Sequence, residues 1–359
     1  MDIKNPQSGG SEVYAHEMCK RLAEKFNVYY LTSNFKNSRP NEIIDNVKIL
    51  RKGNIFTLYI RAFFWLKENR SRFDTVVEII NGPPFLVPLI TRSFNHYIVI
   101  YHLITFSATC ERLPLIGPLE YVFSRKLLKL LYKKVPTITD SNSGRSELIS
   151  IGFSKVFVAE DGIDKTESLN QDYTIPKENL VVITGPLKST KRIEHGIMAF
   201  ASIANSWKLQ IIGRGPQRYL HRLMEIVESL NISHSVKFLG YVSEDEKKQI
   251  YSRSKINIVT SEKEGYGLTV LECARYGCVA VGYDVDGVRD AIVDGYTGIL
   301  VQNGDITRLR SELSRLASDD DRLVRMSKAC ISFAIDRTWD RTFEIFKNII
   351  TDGAVYNNS

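Results

Sequence analysis

Short runs of β-branched and aromatic residues alternate with helix-patterned segments along almost the whole chain, and that alternation restricts the folds open to it. In the first half "VYYLT" (28–32), "TVVEII" (75–80), "YIVIYH" (97–102), "TITDS" (137–141) and "VFVAE" (156–160) read as buried strands. In the second half "LVVITG" (180–185), "LQIIG" (209–213), "VKFLG" (236–240), "INIVTS" (256–261) and "VAVGYD" (279–284) do the same. Helical patterns separate them, for example over 216–230 and 243–254. Strands alternating with helices form parallel sheets covered on both faces, and a strand covered on both faces is apolar throughout. These strands are too many for one small doubly wound sheet, and 359 residues are enough for two domains. The expectation is an α/β chain of two Rossmann-like, doubly wound domains over 1–174 and 175–335. They are joined near the polar stretch "LNQDYTIPKEN" (169–179).

In sheets of this kind ligands sit beyond the carboxyl ends of the strands. That rule singles out Gly185 to Lys191, Gly213 to Pro216, Gly240 to Val242, Ser261 to Thr269, and His102. Composition narrows the ligand. Net charge is +7, which suits an anionic partner: nucleic acid, a phosphorylated small molecule or an anionic membrane face. The nucleic-acid reading rests on charge alone and no recognised module supports it, so no nucleic acid is expected. Two basic stretches in the first half, "RKGNIFTLYIRAFFWLKENRSR" (51–72) and "SRKLLKLLYKKV" (124–135), read as amphipathic helices. Each suits either a lipid surface or a sheet face with solvated lysines. No apolar run reaches membrane-spanning length, and "MDIKNPQSGGSE" lacks a signal-peptide core. Cys19, Cys110, Cys273, Cys278 and Cys330 are odd in number and form no CxxC pair. Reduced thiols in a cytoplasmic protein are expected.

The stretch "SEKEGYGLTVLECARYG" (261–277) carries the most chemistry. A strand ends at Ser261 and a helix is expected near Gly267. Gly265 and Gly267 let the backbone turn and approach a ligand closely. The first helical turn, Gly267, Leu268 and Thr269, offers amide hydrogens to an anion, helped by the helix dipole. Glu264 precedes that turn and Glu272 follows it, two acceptors suited to sugar hydroxyls. The spacing alone fits a nucleotide diphosphate-sugar site and an ordinary strand-to-helix turn equally.

The longer stretch "EGYGLTVLECARYGCVAVGYDVDGVRDAIVDGYTGILV" resembles the signature of retaining glycosyltransferase family 4, which has the GT-B fold. "PQSGGSEVYAHEMCKRLAEKFNVYYLTS" resembles the family's glycine loop and first helix, and "DSNSGRSELISIGFSKVFVAEDGID" its segment ending in Gly-Ile-Asp. "IIGRGPQRYLHRLMEIVESLNISHSVKFLGYVSEDEKKQIYSRSKINIVTS" is similar to the middle of its donor domain. "DRTWDRTFEIFKNII" is similar to its C-terminal helix, which implies that 336–359 packs back on the first domain.

The resemblance implies transfer of a hexosyl unit from a UDP- or GDP-sugar to a hydroxyl acceptor with retained configuration. No cofactor and no metal are implied. Glu264 would contact the transferred sugar and Glu272 the ribose. The amides of Tyr266, Gly267 and Leu268, with Thr269 beside them, would reach sugar and phosphate. Gly9 and Gly10 would close over the diphosphate, Lys191 would neutralise it, and His102 would hydrogen-bond the sugar near the reacting carbon. Gly213 and Gly215 would shape the donor cleft, Gly185 is a further donor-binding candidate, and Tyr241 lies near the base. The acceptor would meet the first half, as a lipid-linked or glycan hydroxyl, with peripheral contact to an anionic membrane.

The chain departs from the family in two places. Pro186 in "GPLKSTKR" stands where the family has an arginine, with Arg192 and Lys188 as stand-ins. The family's first strand is missing before "MDIKNPQSGG", and restoring it upstream is expected to raise stability and activity. Both favour an alternative, a catalytically impaired subunit that acts as a binding partner. Asp284-x-Asp286 is similar to the metal pair of another transferase fold and reads as a chance match.

Overall fold

The structure is a computed structural model, which describes residues 1–6, 8–90, 95–101, 103, 105–106, 109–110, 115, 117–164 and 177–351. The chain divides into two compact units, Met1–Gly162 with Trp339–Ser359, and Ile163–Thr338. The division falls at 162/163 and 338/339. The boundary expected at 174/175, like most of the polar stretch 169–179, lies outside the described residues.

In the first unit, helix α1 (Gly10–Leu22) is followed by strands β1 (Tyr29–Thr32), β2 (Asn41–Ile44) and β3 (Val47–Arg51). These form a sheet of order β1-β3-β2, with β1 parallel and β2 antiparallel to β3. The β2–β3 hairpin turns at Asp45 and Asn46, whose φ values of 47° and 64° are the left-handed pair such two-residue turns require. Helix α2 (Leu58–Asn69) leads to β4 (Thr75–Ile79) and β5 (Asn95–Val99). Helix α3 (Gly117–Leu127) runs into a π-helical turn, Leu128–Tyr132, then β6 (Thr137–Thr139), α4 (Asn142–Ser150) and β7 (Val156–Val158). Strands β4 to β7 make a second, wholly parallel sheet in chain order.

The stretch 51–72 thus holds a strand end, a turn and a helix. Phe63 and Trp65 pack with Leu66, Val87 and Ile90. Phe56, Ile60 and Phe64 remain 73%, 65% and 55% exposed.

The second unit is one six-stranded parallel sheet. Its strands are β8 (Leu180–Thr184), β9 (Lys208–Ile212), β10 (Val236–Gly240), β11 (Ile256–Val259), β12 (Val279–Tyr283) and β13 (Gly298–Val301). Their order is β10-β9-β8-β11-β12-β13. Every residue of β11 and β12 is buried, as expected of strands covered on both faces. The helices are α5 (Ile193–Phe200), α6 (Gln217–Ser229), α7 (Glu244–Arg253), α8 (Leu268–Arg275), the short α9 (Val288–Ala291), α10 (Ile306–Ala317) and α11 (Asp320–Ile335).

A single large apolar cluster runs from Val181 and Phe200 through Leu271 and Val281 to Leu313 and Met326. Strand order reverses between β8 and β11, which opens a crevice at their carboxyl ends. The last helix, α12 (Trp339–Thr351), belongs to the first unit. There Trp339 and Phe346 set their rings edge-on to Tyr14 of α1, at 5.8 and 6.4 Å, and Arg21 bonds Asp340 at 3.0 Å. Among the described residues no helix is long and apolar enough to cross a membrane.

Candidate functional site

The crevice of the second unit is built by two loops that clamp each other. The loop after β8 runs through Gly185 to a 3-10 turn, Ser189–Lys191, and enters α5 at Arg192, whose φ of 45° is left-handed. The loop after β11 holds it in place. The Thr260 hydroxyl reaches the carbonyls of Lys191 and Arg192 at 3.0 and 2.8 Å, and the Glu262 amide donates to Thr190 at 2.8 Å. This clamp sets the Lys191 ammonium on the Glu264 carboxylate, which also accepts the Ser261 hydroxyl. Both partners are only partly exposed, 24% for the lysine side chain and 19% for the glutamate, so the pair is weakly screened.

A third loop braces Glu264 from behind. Its amide donates to Asp286 at 3.0 Å, and at Gly287 (φ 81°) an added Cβ would lie 2.5 Å from the Glu264 carbonyl oxygen. Asp284 and Asp286 both bond Arg289, at 2.7 and 3.3 Å. Among the described residues no three of His, Cys, Asp and Glu converge as metal ligands do.

Gly267 (φ 90°) caps α8, and the first-turn amides of Leu268 and Thr269 have no carbonyl within the helix to bond. Tyr266 turns its ring into the core, where its hydroxyl accepts from Arg337 at 3.1 Å, so only its backbone faces the turn. Glu272, one turn on, belongs to a separate group. Its carboxylate meets Lys247 at 3.2 Å and accepts the Tyr251 hydroxyl at 3.4 Å. Burial pushes the Glu272 carboxyl above its usual range, and Lys247 works against that rise. Burial would lower Lys247, but the carboxylates of Glu272 and Glu244 override it and hold the ammonium charged. A capping box at the start of α7, between Ser243 and Glu246, places Lys247 there.

Gly185 and Gly213 meet backbone to backbone. A Cβ on Gly213 (φ 147°) would sit 1.8 Å from the Gly185 oxygen, and one on Gly215 would sit 2.0 Å from that of Leu187. The Leu187 amide donates to Arg214 at 2.9 Å, so these glycines seat the loop that carries Lys191. Tyr241 is 68% exposed, with the Arg214 guanidinium 5.0 Å from its ring centre. Of the two stand-ins for the arginine absent at Pro186, Arg192 bonds Asn303 at 2.6 Å and Lys188 is exposed.

In the first unit, Gly9 caps α1 and its amide donates to Glu12 at 2.9 Å, with the Ser11 hydroxyl on the same oxygen at 3.0 Å. The chain's own carboxylate thus occupies the amide assigned to a diphosphate at Gly9, and Gly10 begins the helix. His102 lies outside the described residues.

Sequence reasoning missed Lys247, Tyr251 and Thr260. The first two lie in a charged helix with no local mark of a buried partner 25 and 21 residues away. Thr260 is readable in the sequence only as part of the strand-like run "INIVTS" (256–261).

Residues 164–332 match the profile of the family described as glycosyl transferases group 1. Over 156 residues the chain is 30% identical to N-acetyl-alpha-D-glucosaminyl L-malate synthase of Bacillus anthracis, covering 43% of this chain and 40% of that protein. It spans from 24% to 40% of the length of five curated relatives, this one included. Its fold is that of sucrose-phosphate synthase of Thermosynechococcus elongatus, with a TM-score of 0.78 at 16% identity over 95% of this chain and 93% of that one. It is also that of Anabaena HepE, solved in complex with UDP-glucose, with a TM-score of 0.73 at 16% identity over 96% of each.

Proposed function

From the premise that residues 164–332 belong to the glycosyl transferases group 1 family, within a GT-B fold, we propose that the chain is a retaining glycosyltransferase of family 4. It moves a hexosyl unit from a nucleotide diphosphate-sugar to a hydroxyl, and needs neither metal nor cofactor. UDP-glucose, the ligand of the Anabaena neighbour, is the first donor to test, with GDP-sugars beside it. The acceptor is a lipid-linked or glycan hydroxyl, and the enzyme works at the cytoplasmic face of an anionic membrane as a peripheral protein.

The observation that carries this reading is the Lys191–Glu264 pair in the crevice where strand order reverses. In the reaction the bond from the anomeric carbon to the diphosphate breaks and its electron pair leaves with the nucleotide, while the acceptor oxygen bonds the same face of that carbon and gives its proton to the departing diphosphate. Lys191, drawn from Glu264 by the bound diphosphate, and the amides of Leu268 and Thr269 receive that negative charge. Glu264, relieved of its lysine, orients the sugar and steadies positive charge at its anomeric carbon. Glu272, fixed by Lys247 and Tyr251, accepts the ribose hydroxyls. Lys191→Ala and Glu264→Ala, assayed with a panel of UDP- and GDP-sugars, test this. Each should lower turnover about 10²–10³-fold in a folded protein, and near-normal turnover in both removes the mechanism.

A catalytically impaired binding subunit is the second reading. It is favoured by exposed Pro186 in place of a phosphate-binding cation and by Glu12 on the Gly9 amide. Failure of the wild-type chain to hydrolyse or transfer from any sugar nucleotide, while still binding one, would select it.

A further inference from the structure

Helix α3 and the π-helical turn after it present two apolar faces, and the fold uses one. On the inner face Ser124 and Leu128 are buried, and the Ser124 hydroxyl donates to Glu120 at 3.0 Å. With Tyr121 they close a cavity of about 30 Å³ over Ile80, Ile100 and Leu103. On the outer face Leu119, Val122 and Phe123 are 78%, 51% and 60% exposed, at the i, i+3, i+4 spacing that makes one helical stripe. Exposed Lys126 continues the stripe, and Leu130 follows at 75% exposure. Single exposed leucines are ordinary, but a contiguous patch on a helix that already has a buried face needs another explanation.

The charge on the same segment supplies one. From 117 to 135 there are five cations, Arg125, Lys126, Lys129, Lys133 and Lys134, against the single acid Glu120, which is turned inward. Lys126, Lys129, Lys133 and Lys134 are all exposed. Apolar side chains interleaved with lysines along one face match a surface that is apolar inside and anionic at its rim.

We propose that this face docks on an anionic phospholipid surface. Leu119, Val122, Phe123 and Leu130 enter the boundary between headgroups and acyl chains, and the lysines meet lipid phosphates. The docking names the surface for the membrane contact of the transfer reading and rests on that reading for its purpose. The binding itself needs no nucleotide sugar, so the two can fail separately.

The test is co-sedimentation of the full chain with phosphatidylglycerol or phosphatidylcholine vesicles, without donor, at low and high salt. The expected result is binding to phosphatidylglycerol that weakens with salt, and little to phosphatidylcholine. The triple variant Lys126→Glu, Lys129→Glu, Lys133→Glu should lower partitioning on the order of a hundredfold, about fivefold or more per lysine. Leu119→Asn with Phe123→Asn should lower it about tenfold at unchanged charge. All these positions are exposed, so an unchanged melting temperature checks folding. Equal binding to both lipids, or variants that sediment as the wild type, overturns the proposal. A lipid-free dimer that the Leu119→Asn, Phe123→Asn pair abolishes also overturns it, since the face would then be a self-association surface. Vesicle binding with no sugar-nucleotide turnover supports the surface and counts only against the transfer reading.

Discussion

In the second unit β11 and β12 are buried at every position within one sheet of six strands, and a single apolar cluster spans the unit. In the first unit the strands divide between a sheet of three and a sheet of four. There Phe56, Ile60, Leu119, Phe123 and Leu130 are each at least 60% exposed. The second unit gathers most of its apolar residues into that cluster, which leaves the polar residues at its strand ends available for chemistry. The first unit leaves large apolar side chains exposed on its outer helices. Chemistry and recognition should therefore separate on mutation.

The largest effect expected is in the second unit. Removing the cation of Lys191 or the carboxylate of Glu264 should lower kcat about 10²–10³-fold, the usual loss for one preorganised electrostatic partner. Phe123→Asn in the first unit should leave turnover with a water-soluble acceptor within about twofold, as surface substitutions do. Steady-state kinetics on the three variants decides the matter, and equal losses from both units would erase the distinction.

Stability gives a second contrast, through two glycines. Gly213 has a left-handed φ of 147° and no room, with a Cβ placed 1.8 Å from the Gly185 oxygen. Gly152, in the first unit, has a φ of 101° and nothing within 4 Å of an added Cβ. Gly152→Ala should cost only the backbone strain, about 1–2 kcal/mol. Gly213→Ala must also displace the loop that carries Lys191 and should cost about 3 kcal/mol or more. Urea unfolding of both variants checks the order. A Gly213→Ala protein as stable as Gly152→Ala would mean that the two loops are not tightly seated.

The same contrast marks what the sequence could reveal. The second unit's strands are near-continuous apolar runs, and each expected run is found as a strand. The resemblance likewise places Lys191 and Glu264, and they are in contact. The hairpin β2–β3 was overlooked although "NEIIDNVKIL" carries its signal, an Asp-Asn pair that tolerates left-handed φ between alternating residues. Gly213 is expected from the sequence to shape the donor cleft, and its close approach to the backbone of Gly185 is a contact no local pattern encodes. The fate of the Gly9 amide depends on Glu12 folding back within one helical turn, which the string "GGSE" permits but does not require. Long-range pairings such as Lys247 with Glu272 stay hidden because each partner alone looks like a solvated helix charge.

That pair yields a pH dependence. Burial raises the Glu272 carboxyl above its usual range. Between the ordinary value and the raised one, the folded chain keeps a proton that the unfolded chain releases. The stability contribution of this group therefore falls as pH rises through that window. If the ionised carboxylate accepts the ribose hydroxyls, nucleoside diphosphate affinity rises with pH through the same window, by at most about tenfold per pH unit. Glu272→Gln should flatten both trends, and Lys247→Met should move the window upward by removing the cation that opposes the shift. Calorimetric titration with UDP across that range reads it. A flat wild-type affinity across the window would separate Glu272 from the ribose.

The smallest effect concerns the pair itself. The Lys191 ammonium already has an anion, the Glu264 carboxylate, with Ser261 donating to the same oxygen. An incoming diphosphate competes with that carboxylate for the lysine. Glu264→Gln keeps an oxygen for Ser261 but removes the competing charge. It should tighten binding of UDP two- to fivefold, about the contribution of one partly exposed ion pair. Turnover should fall in the same variant, because the transferred sugar loses its carboxylate. Opposite signs for product affinity and rate distinguish a residue that yields to the phosphate from one that binds it. Weaker UDP binding in Glu264→Gln would place the carboxylate on the nucleotide, and Lys191 would then need its glutamate to hold the phosphate at all.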